Sequence, residues 1–231
     1  MTFANRSYEK ELLDAAEIPF YDIKKNLQEL NTINTLLGGH AITISGFRKL
    51  IGNRKKIIVC EIGCGGGDNL VAIKKWCDRK GIDIHCIGID MKVECIQVAQ
   101  NQHHLIGKTT WFTNDYVETK FESQPDIIFS SLFCHHFTNE ALIFQLQWMK
   151  ANAKIGFFIN DLHRHPIAYY SIRILTKLFS NSYLVKHDAP LSVARGFVAA
   201  EWEAIGIKAG IDNLCIHWKW AFRHLIIYRN E

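Results

Sequence analysis

A group of glycines behind an acidic residue is the first feature of this sequence that could do chemistry. Residues 60–69 read C-E-I-G-C-G-G-G-D-N, so four glycines occur in the six positions after Glu61. A glycine turn lets the backbone approach a ligand closely, because no side chain stands in the way. A nicotinamide dinucleotide, a nucleotide phosphate and a sulfonium cofactor are all possible ligands, and the surrounding residues must decide between them.

The spacing excludes two common glycine motifs. The dinucleotide fingerprint requires a third glycine three residues after the second, and Asp68 stands at that position after Gly63 and Gly65. The P-loop requires a Lys-Ser/Thr pair after the glycines, which is missing here. What remains is an acid two residues before the first glycine, which would repel a phosphate and attract an amino group.

Polar residues also follow the next two predicted strands. Asp90 and Met91 come after the apolar run 84–89, and Asn114-Asp115-Tyr116 follows the run 109–113. An aspartate at a strand end is often only a helix cap. However, these residues stand in order at the carboxyl ends of successive strands, where open α/β sheets bind ligands. We therefore expect Asp90 to bind ribose hydroxyls and Met91 to pack on a base.

Four histidines follow the fourth and fifth predicted strands. The first pair lies in S-L-F-C-H-H-F (131–137) and the second in N-D-L-H-R-H-P (160–166). Histidine is the side chain most readily poised as a base near neutral pH, although it is equally often a packed ring or a cap. The candidate catalytic residues are His136 and His135, followed by His163 and His165.

These residues are positioned by strands that alternate with helices from about Lys56 onward. Continuous apolar strands separated by helices predict a parallel sheet covered on both faces. The fold class is α/β, with a doubly wound, mostly parallel, seven-stranded sheet. The predicted strands cover 56–61, 84–89, 109–113, 126–130, 155–160, 214–218 and 222–228. The predicted helices between them cover 68–80, 92–104, 139–151 and 198–209.

Two regions interrupt this alternation. Residues 1–52 are predicted to form an N-terminal helical cap, because 22–37 places apolar residues at three- and four-residue steps before Gly38-Gly39 ends the pattern. Residues 53–231 are predicted to form the main domain, with a helical lid insertion at about 162–190. The lid contains an aromatic, amphipathic stretch over 166–179.

The bulk composition limits the partners. The chain has 231 residues and a net charge of +4, too modest to indicate nucleic-acid binding by itself. No stretch approaches the ~20 continuous apolar residues of a membrane-spanning helix. Its seven cysteines include no C-x-x-C pair, which favours a reducing cytoplasm. We expect a cytoplasmic protein with neither a nucleic-acid nor a membrane partner, and the oligomeric state stays open.

The stretch from Glu61 to Gly67 resembles motif I of the class I S-adenosylmethionine-dependent methyltransferases. This resemblance implies the Rossmann-like fold of that family and S-adenosyl-L-methionine as the cofactor. It also implies an acidic residue on the adenine amino group, at 114–116. The expected cofactor-binding residues are Glu61, Gly63, Cys64, Gly65, Gly67, Asn69, Asp90, Met91, Asn114, Asp115, Tyr116 and Ser131.

A second resemblance concerns the methyl acceptor. The stretch 131–137 is similar to motif IV of small-molecule methyltransferases of the ubiquinone/menaquinone type. The pieces at 11–14, 26–39, 160–170 and 188–197 resemble a bacterial subfamily often associated with polyketide or phenolic-lipid biosynthesis. This implies O-methylation of a phenolic or related hydroxyl. The expected acceptor-binding residues are Phe133, Asp161, Arg164, Tyr169, Tyr170 and Arg195, with Ser192 as a secondary candidate.

Several alternatives stay open. The same site could methylate a ring carbon of a quinone, or the chain could bind the cofactor without catalysis. Arg164 could clamp Asp161 or another buried carboxylate instead of touching the acceptor. His163 and His165, with Asp161 and the first His pair, could assemble a metal site, although we predict none. The Asn/Asp-Pro-Pro-Tyr/Phe signature of amino-group methyltransferases of nucleic acids is absent after the fourth strand.

Overall fold

The described part of the chain is built on one twisted sheet. A computed structural model describes residues 3–15 and 17–230; residues 1, 2 and 16 of the predicted cap and residue 231 of the predicted domain lie outside it. The strands are β1 (Lys56–Ile62), β2 (Asp83–Ile89), β3 (Thr109–Phe112), β4 (Ile127–Ser131), β5 (Gly156–Leu162), β6 (Cys215–Lys219) and β7 (Arg223–Arg229). Their order is β3-β2-β1-β4-β5-β7-β6, and β7 runs in the direction opposite to the other six strands. The predicted fold class is confirmed.

The strand order places the ligand-binding crevice. The chain leaves β1 toward β2 and β3 on one side and later continues from β4 to β5 on the other. Ligands of open α/β sheets bind where the order reverses, outside the carboxyl ends of the strands. In this fold that point lies between β1 and β4, which carry the glycine turn and the first histidine pair.

Helices cover both faces of the sheet. They are α1 (Phe20–Leu36), α2 (Gly39–Ile51), α3 (Asp68–Arg79), α4 (Val93–Gln100), α5 (Asn139–Asn152), α6 (Pro166–Phe179), α7 (Tyr183–Arg195) and α8 (Ala199–Lys208). The predicted break at Gly38 is confirmed, because this residue takes the left-handed conformation that starts α2. The predicted helix 92–104 is too long, since α4 ends at Gln100 and residues 103–105 form a separate 3₁₀ turn.

Two apolar layers hold the helices to the sheet. On the α2 and α3 side, Phe129 stacks on Phe158 at a centroid distance of 4.8 Å. On the α5 and α8 side, Trp202 packs against Phe197 at 4.2 Å, and both are fully buried. The insertion after β5 is longer than predicted: the range 162–190 stops inside α7, which continues to Arg195. Within residues 3–15 and 17–230, no helix combines the length and apolar character needed to cross a bilayer.

Candidate active site

The glycine turn after β1 requires glycine for two reasons. Gly63, Gly65 and Gly67 have φ angles of +66°, +50° and +76°, which other residues rarely adopt. A Cβ atom at Gly63 would also overlap the ring of Phe133. Between them, Cys64 points its side chain into the core, so only its backbone faces a ligand.

Glu61 lies buried beneath this turn with one oxygen unpaired. Its side chain is 1% exposed, and Oε1 accepts a hydrogen bond from Asn69 at 3.0 Å. Oε2 has no partner among the described residues. Burial raises the pKa of Glu61 well above its ordinary value, and the nearby charges of Asp68 and Asp90 raise it further. A buried carboxylate is stabilised by a paired cation, so this oxygen suits an ammonium group.

Asp90 ties the end of β2 to the glycine turn. Its Oδ2 accepts from the Gly65 amide at 2.9 Å, and its Oδ1 accepts from the Lys92 amide at 2.9 Å. Each carboxylate oxygen keeps further lone pairs, so Asp90 is fixed and still able to accept ligand hydroxyls.

A cavity of about 620 Å³ opens beside this turn. It brings together six of the expected cofactor-binding residues, namely Gly63, Asp90, Met91, Asn114, Asp115 and Tyr116. Phe133 and His136 line the same cavity. The expected cofactor end and one candidate base therefore share a single space.

The polar residues after β3 are anchored by local contacts. Asp115 Oδ1 caps the 3₁₀ turn 116–118 by accepting from the Val117 amide at 3.1 Å. Asn114 Oδ1 accepts from the Thr119 hydroxyl at 3.0 Å. Met91 is 73% exposed at the cavity mouth. These contacts hold the side chains in place and leave Asp115 Oδ2 facing solvent or a ligand.

His135 is buried between two carboxylates. Its Nδ1 lies 2.8 Å from Asp161 and its Nε2 lies 3.5 Å from Glu11. Burial alone would lower the pKa of His135, but the charges and hydrogen bonds of Asp161 and Glu11 outweigh it and raise the pKa to about 9. The ring is therefore protonated at neutral pH and has no lone pair with which to accept a proton.

His136 is the histidine of the pair that reaches the cavity. Its Nδ1 lies 3.2 Å from Asp14, and its Nε2 lies 3.8 Å from Glu11, beyond normal hydrogen-bond length. Asp14 therefore orients the ring through Nδ1, and Nε2 has no hydrogen bond of normal length to Glu11 and stays able to accept a proton. His136 is thus the better placed of the two candidates.

Glu11 and Asp14, the two carboxylates near His136, come from residues 3–15, which we call the N-terminal strap. Asp188 of α7 fixes the strap by accepting from the amides of Leu12 and Leu13 at 2.8 and 2.9 Å. Ser192 donates to Glu11 at 2.8 Å. The strap residues Glu11 and Asp14 were missed as site residues from sequence, although the E-L-L-D piece that holds them was one of the resembling segments.

Two expected acceptor-binding residues instead hold the backbone around this cluster. Asp161 is fully buried and accepts from the amides of Phe133 and Cys134 at 3.1 and 2.7 Å, besides holding His135. Arg195 donates to the carbonyls of His135 and Glu9 at 3.1 and 2.8 Å.

The other expected acceptor residues lie in a separate cluster. The Arg164 guanidinium pairs with both oxygens of Glu201, at 2.8 and 2.9 Å, so the carboxylate it clamps is Glu201 and not Asp161. Tyr169 and Tyr170 pack edge-on against each other and against Phe3 of the strap. None of these three residues lines the 620 Å³ cavity.

The second histidine pair is also placed elsewhere. His165 caps α6 by accepting from the Ile167 amide at 3.2 Å and stacks on Phe222. His163 accepts from the Trp218 indole at 3.2 Å. Neither ring lines the cavity, because both rings pack near Phe222 instead.

A metal could be held only where several ligand atoms converge. Among the described residues the atoms that do so belong to Glu11, His135 and His136, within 4.8 Å of one another. The metal site that the sequence suggested as an alternative also included His163 and His165, which do not belong to this group. The Arg195 guanidinium lies 4.0 Å from Glu11 and already supplies positive charge to that carboxylate.

Comparisons with known proteins agree with this geometry. Residues 59–168 match the protein-family model described as "Methyltransferase domain". A search of curated proteins gives no match.

Solved structures with the same fold include the plantazolicin methyltransferase BpumL in complex with SAH, at a TM-score of 0.66 and 17% identity, covering 91% of this chain and 90% of that one. Human N-acetylserotonin methyltransferase in complex with SAM has a TM-score of 0.64 and 13% identity, with 92% and 56% covered. An O-methyltransferase family 2 protein from Planctomyces limnophilus, in complex with apigenin, has a TM-score of 0.62 and 13% identity, with 94% and 63% covered. The chain thus spans less than two thirds of the last two proteins.

The match over 59–168 contains the glycine turn, Asp90, both histidine pairs and the start of α6. The solved structures share the fold at low identity. The family match identifies a methyltransferase domain at residues 59–168, in agreement with the predicted enzyme class, and the solved structures share its fold.

Proposed function

We propose that this enzyme methylates a hydroxyl group of a small phenolic acceptor, with His136 as the general base. The observation that carries the proposal is the position of His136. It lines the same cavity as the expected cofactor-binding residues and is held by Asp14 through Nδ1.

The residues of the site fit S-adenosylmethionine. The unpaired Oε2 of Glu61 would take the ammonium group of the methionine end. The start of α3 offers free amides to the carboxylate of that end. Asp90 would accept the ribose hydroxyls, while Met91 and Asp115 would lie at the adenine.

Bound in this way, the cofactor would supply a methyl group already activated by a sulfonium. The protein's main task is then to align the acceptor oxygen and to remove its proton. Phe133, whose ring packs on Gly63 and edge-on to Phe137 at 4.8 Å, offers an apolar wall for an aromatic acceptor. Asp161 keeps that wall in place by fixing the backbone amides of residues 133 and 134.

His136 Nε2 would take the proton as the new C–O bond forms and the C–S bond breaks. A phenol has a pKa of about 10, so a positioned base accelerates its reaction at neutral pH. Asp14 would stabilise the imidazolium that results, because it faces the opposite nitrogen. The strap, whose residues Leu13 and Asp14 line the cavity, would keep water away from this exchange.

Two structural neighbours support a small oxygen acceptor. One is an O-methyltransferase family 2 protein in complex with apigenin, and the other is N-acetylserotonin methyltransferase. Their support is limited to the shared fold, and the contacts of His136 carry the proposal for this chain.

The test is a methyl-transfer assay with a panel of phenols, comparing the wild type with His136→Ala. We expect kcat to fall about 100- to 10,000-fold while S-adenosylhomocysteine binds with unchanged affinity by calorimetry. His104→Ala, an exposed ring in a 3₁₀ turn, is the matched control and should keep the wild-type rate. A His136→Ala enzyme with the wild-type kcat would remove the histidine from the mechanism.

A further inference from the structure

A row of polar side chains lies on the sheet face beneath α1 and α2. The register pairs Glu61 with Phe129, Ser131 with Asn160, and Asn160 with Leu225. Side chains two residues apart on a strand share a face, so Arg223 belongs to the same face as Asn160. This row runs from the expected methionine end of the cofactor, past the end of β4, to β7.

Arg223, at the end of this row, is a buried cation with unpaired hydrogen-bond donors. Its side chain is 3% exposed, and only Nη2 has a partner, the side-chain oxygen Oδ1 of Asn34 in α1 at 2.7 Å. Nε and Nη1 have none among the described residues. No carboxylate of the described chain lies within ion-pair distance of this guanidinium. Buried charges are normally paired, so an unpaired arginine here indicates an anionic ligand.

The start of α2 faces the same point. A Cβ atom at Gly39 would lie 3.1 Å from Arg223 Nη1 and 2.6 Å from the Asn34 side-chain oxygen. The first amides of a helix have no intrahelical acceptor and carry the positive end of its dipole. α2 has 13 residues and no acid in its first turn, so nothing of its own neutralises that end.

Asn160 connects this point to the acceptor side of the site. Its Nδ2 donates to the Gly39 carbonyl at 3.1 Å and to Ser131 at 3.3 Å, while its Oδ1 has no partner among the described residues. Ser131 is two residues before Phe133 at the end of β4. Strands are about 4.8 Å apart, so Arg223 on β7 is roughly 10 Å from β4 and roughly 14 Å from Glu61 on β1.

We infer that Arg223, with Asn34 and the first turn of α2, binds a carboxylate group of the methyl acceptor. The substrate class is then a phenolic acid and not a neutral phenol. A carboxylate suits this guanidinium, because an unpaired N–H group of Nε or Nη1 would donate a charge-assisted hydrogen bond to a carboxylate oxygen. The inference rests on the proposed function, since it names the substrate of the same site.

A carboxylate could also come from the methionine end of the cofactor. The distance from Glu61 argues against this source, because the amino and carboxylate groups of one amino acid share a carbon. The two sources separate experimentally, since only one of them changes when the acceptor changes.

The experiment compares hydroxybenzoic acids with their neutral methyl esters as acceptors. We expect the wild type to prefer the acid by about 10- to 100-fold in kcat/KM, the range of a hydrogen-bonded charge. Arg223→Met should abolish this preference while the ester keeps its rate, and Arg223→Lys should restore part of it. Arg229→Met, which changes the guanidinium at the far end of β7, is the control and should keep the preference.

Each outcome can be assigned. Loss of S-adenosylhomocysteine affinity in Arg223→Met would mean that the arginine serves the cofactor and would overturn the inference. An equal loss of kcat/KM for the acid and the ester would also overturn it. The melting temperature of Arg223→Lys would show whether a substitution at this position unfolds the protein. If no phenol is methylated, the proposed function fails, and the anion site is judged by calorimetry alone. Benzoate should then bind the wild type loaded with S-adenosylhomocysteine and not Arg223→Met; equal binding would sink the inference.

Discussion

The two ends of the cavity are held together by contacts of very different range along the chain. At the cofactor end, Asn69 reaches Glu61 across 8 residues and Gly65 reaches Asp90 across 25. At the catalytic end, Ser192 reaches Glu11 across 181 residues and Leu12 reaches Asp188 across 176. The proposed cofactor end is therefore a local structure formed by consecutive strands, whereas the proposed catalytic end forms only once distant segments have met.

The largest effect should come from breaking the cofactor end at Gly63. Gly63→Ala adds a Cβ atom into the Phe133 ring at a φ angle of +66°, so we expect binding of S-adenosylhomocysteine to be lost by calorimetry. Gly107→Ala has a similar φ of +70° but meets nothing within 4 Å, and it should bind normally. Equal effects in both variants would attribute the loss to backbone strain alone.

Breaking the catalytic end should leave the cofactor end intact. Asp188→Asn weakens the two bonds that fix the strap amides of Leu12 and Leu13. We expect kcat to fall about tenfold or more, because His136 would lose the carboxylate that orients it. Hydrogen exchange over residues 7–15 should become faster while S-adenosylhomocysteine affinity holds. The exposed Asp212→Asn serves as the control, and a slow-exchanging strap in Asp188→Asn would contradict the expectation.

The charge cluster around His135 should make stability depend on pH. The ordinary histidine pKa of 6.5 rises to about 9 in the fold, so the stabilisation is complete below pH 6.5 and is lost as pH rises through 9. The shift corresponds to about 3 kcal/mol in the free energy of unfolding. Urea unfolding between pH 6.5 and 9.5 should show this decline, and His135→Gln should flatten it relative to the wild type. An identical slope in both proteins would exclude His135 as its source.

The smallest effect is expected at the adenine edge. Asp115→Asn keeps the capping oxygen of the 3₁₀ turn but removes the charge expected at the adenine amino group. We expect S-adenosylmethionine affinity to fall a few-fold, about the value of one exposed charged hydrogen bond, with kcat unchanged. A change in kcat of similar size would place Asp115 nearer the reacting atoms than the cavity suggests.

This contrast in contact range also explains what the sequence could predict. The alternation of strands and helices, the glycine turn and Asp90 follow from hydrophobic runs and from polar residues at strand ends, so short windows of sequence predict them. The sequence makes His136 and His135 equal candidates, because the partners that distinguish them are distant in the chain. Only the fold shows that Asp161 and Glu11 hold His135 protonated while His136 reaches the cavity.

Other residues could not be placed because their partners are far away. Arg164 was expected to contact the acceptor or to clamp Asp161 or another buried carboxylate, but its partner Glu201 lies on a helix that follows the insertion. Glu11 and Asp14 gave no chemical signal in sequence, because an acid in a short polar segment is usually solvated. In the sequence Arg223 is an ordinary strand residue, because its neighbours Asn34 and Gly39 lie far away in the chain and meet it only in the fold.

The strap has a consequence for the order in which the enzyme becomes competent. Arg6 donates to the carbonyl of Arg195 across 189 residues, so the strap cannot dock before α7 has formed. Contacts between such distant segments form slowly, because a long loop must close before they stabilise anything. A refolding chain should therefore regain cofactor binding before it regains turnover, and the interval between the two marks the docking of residues 3–15.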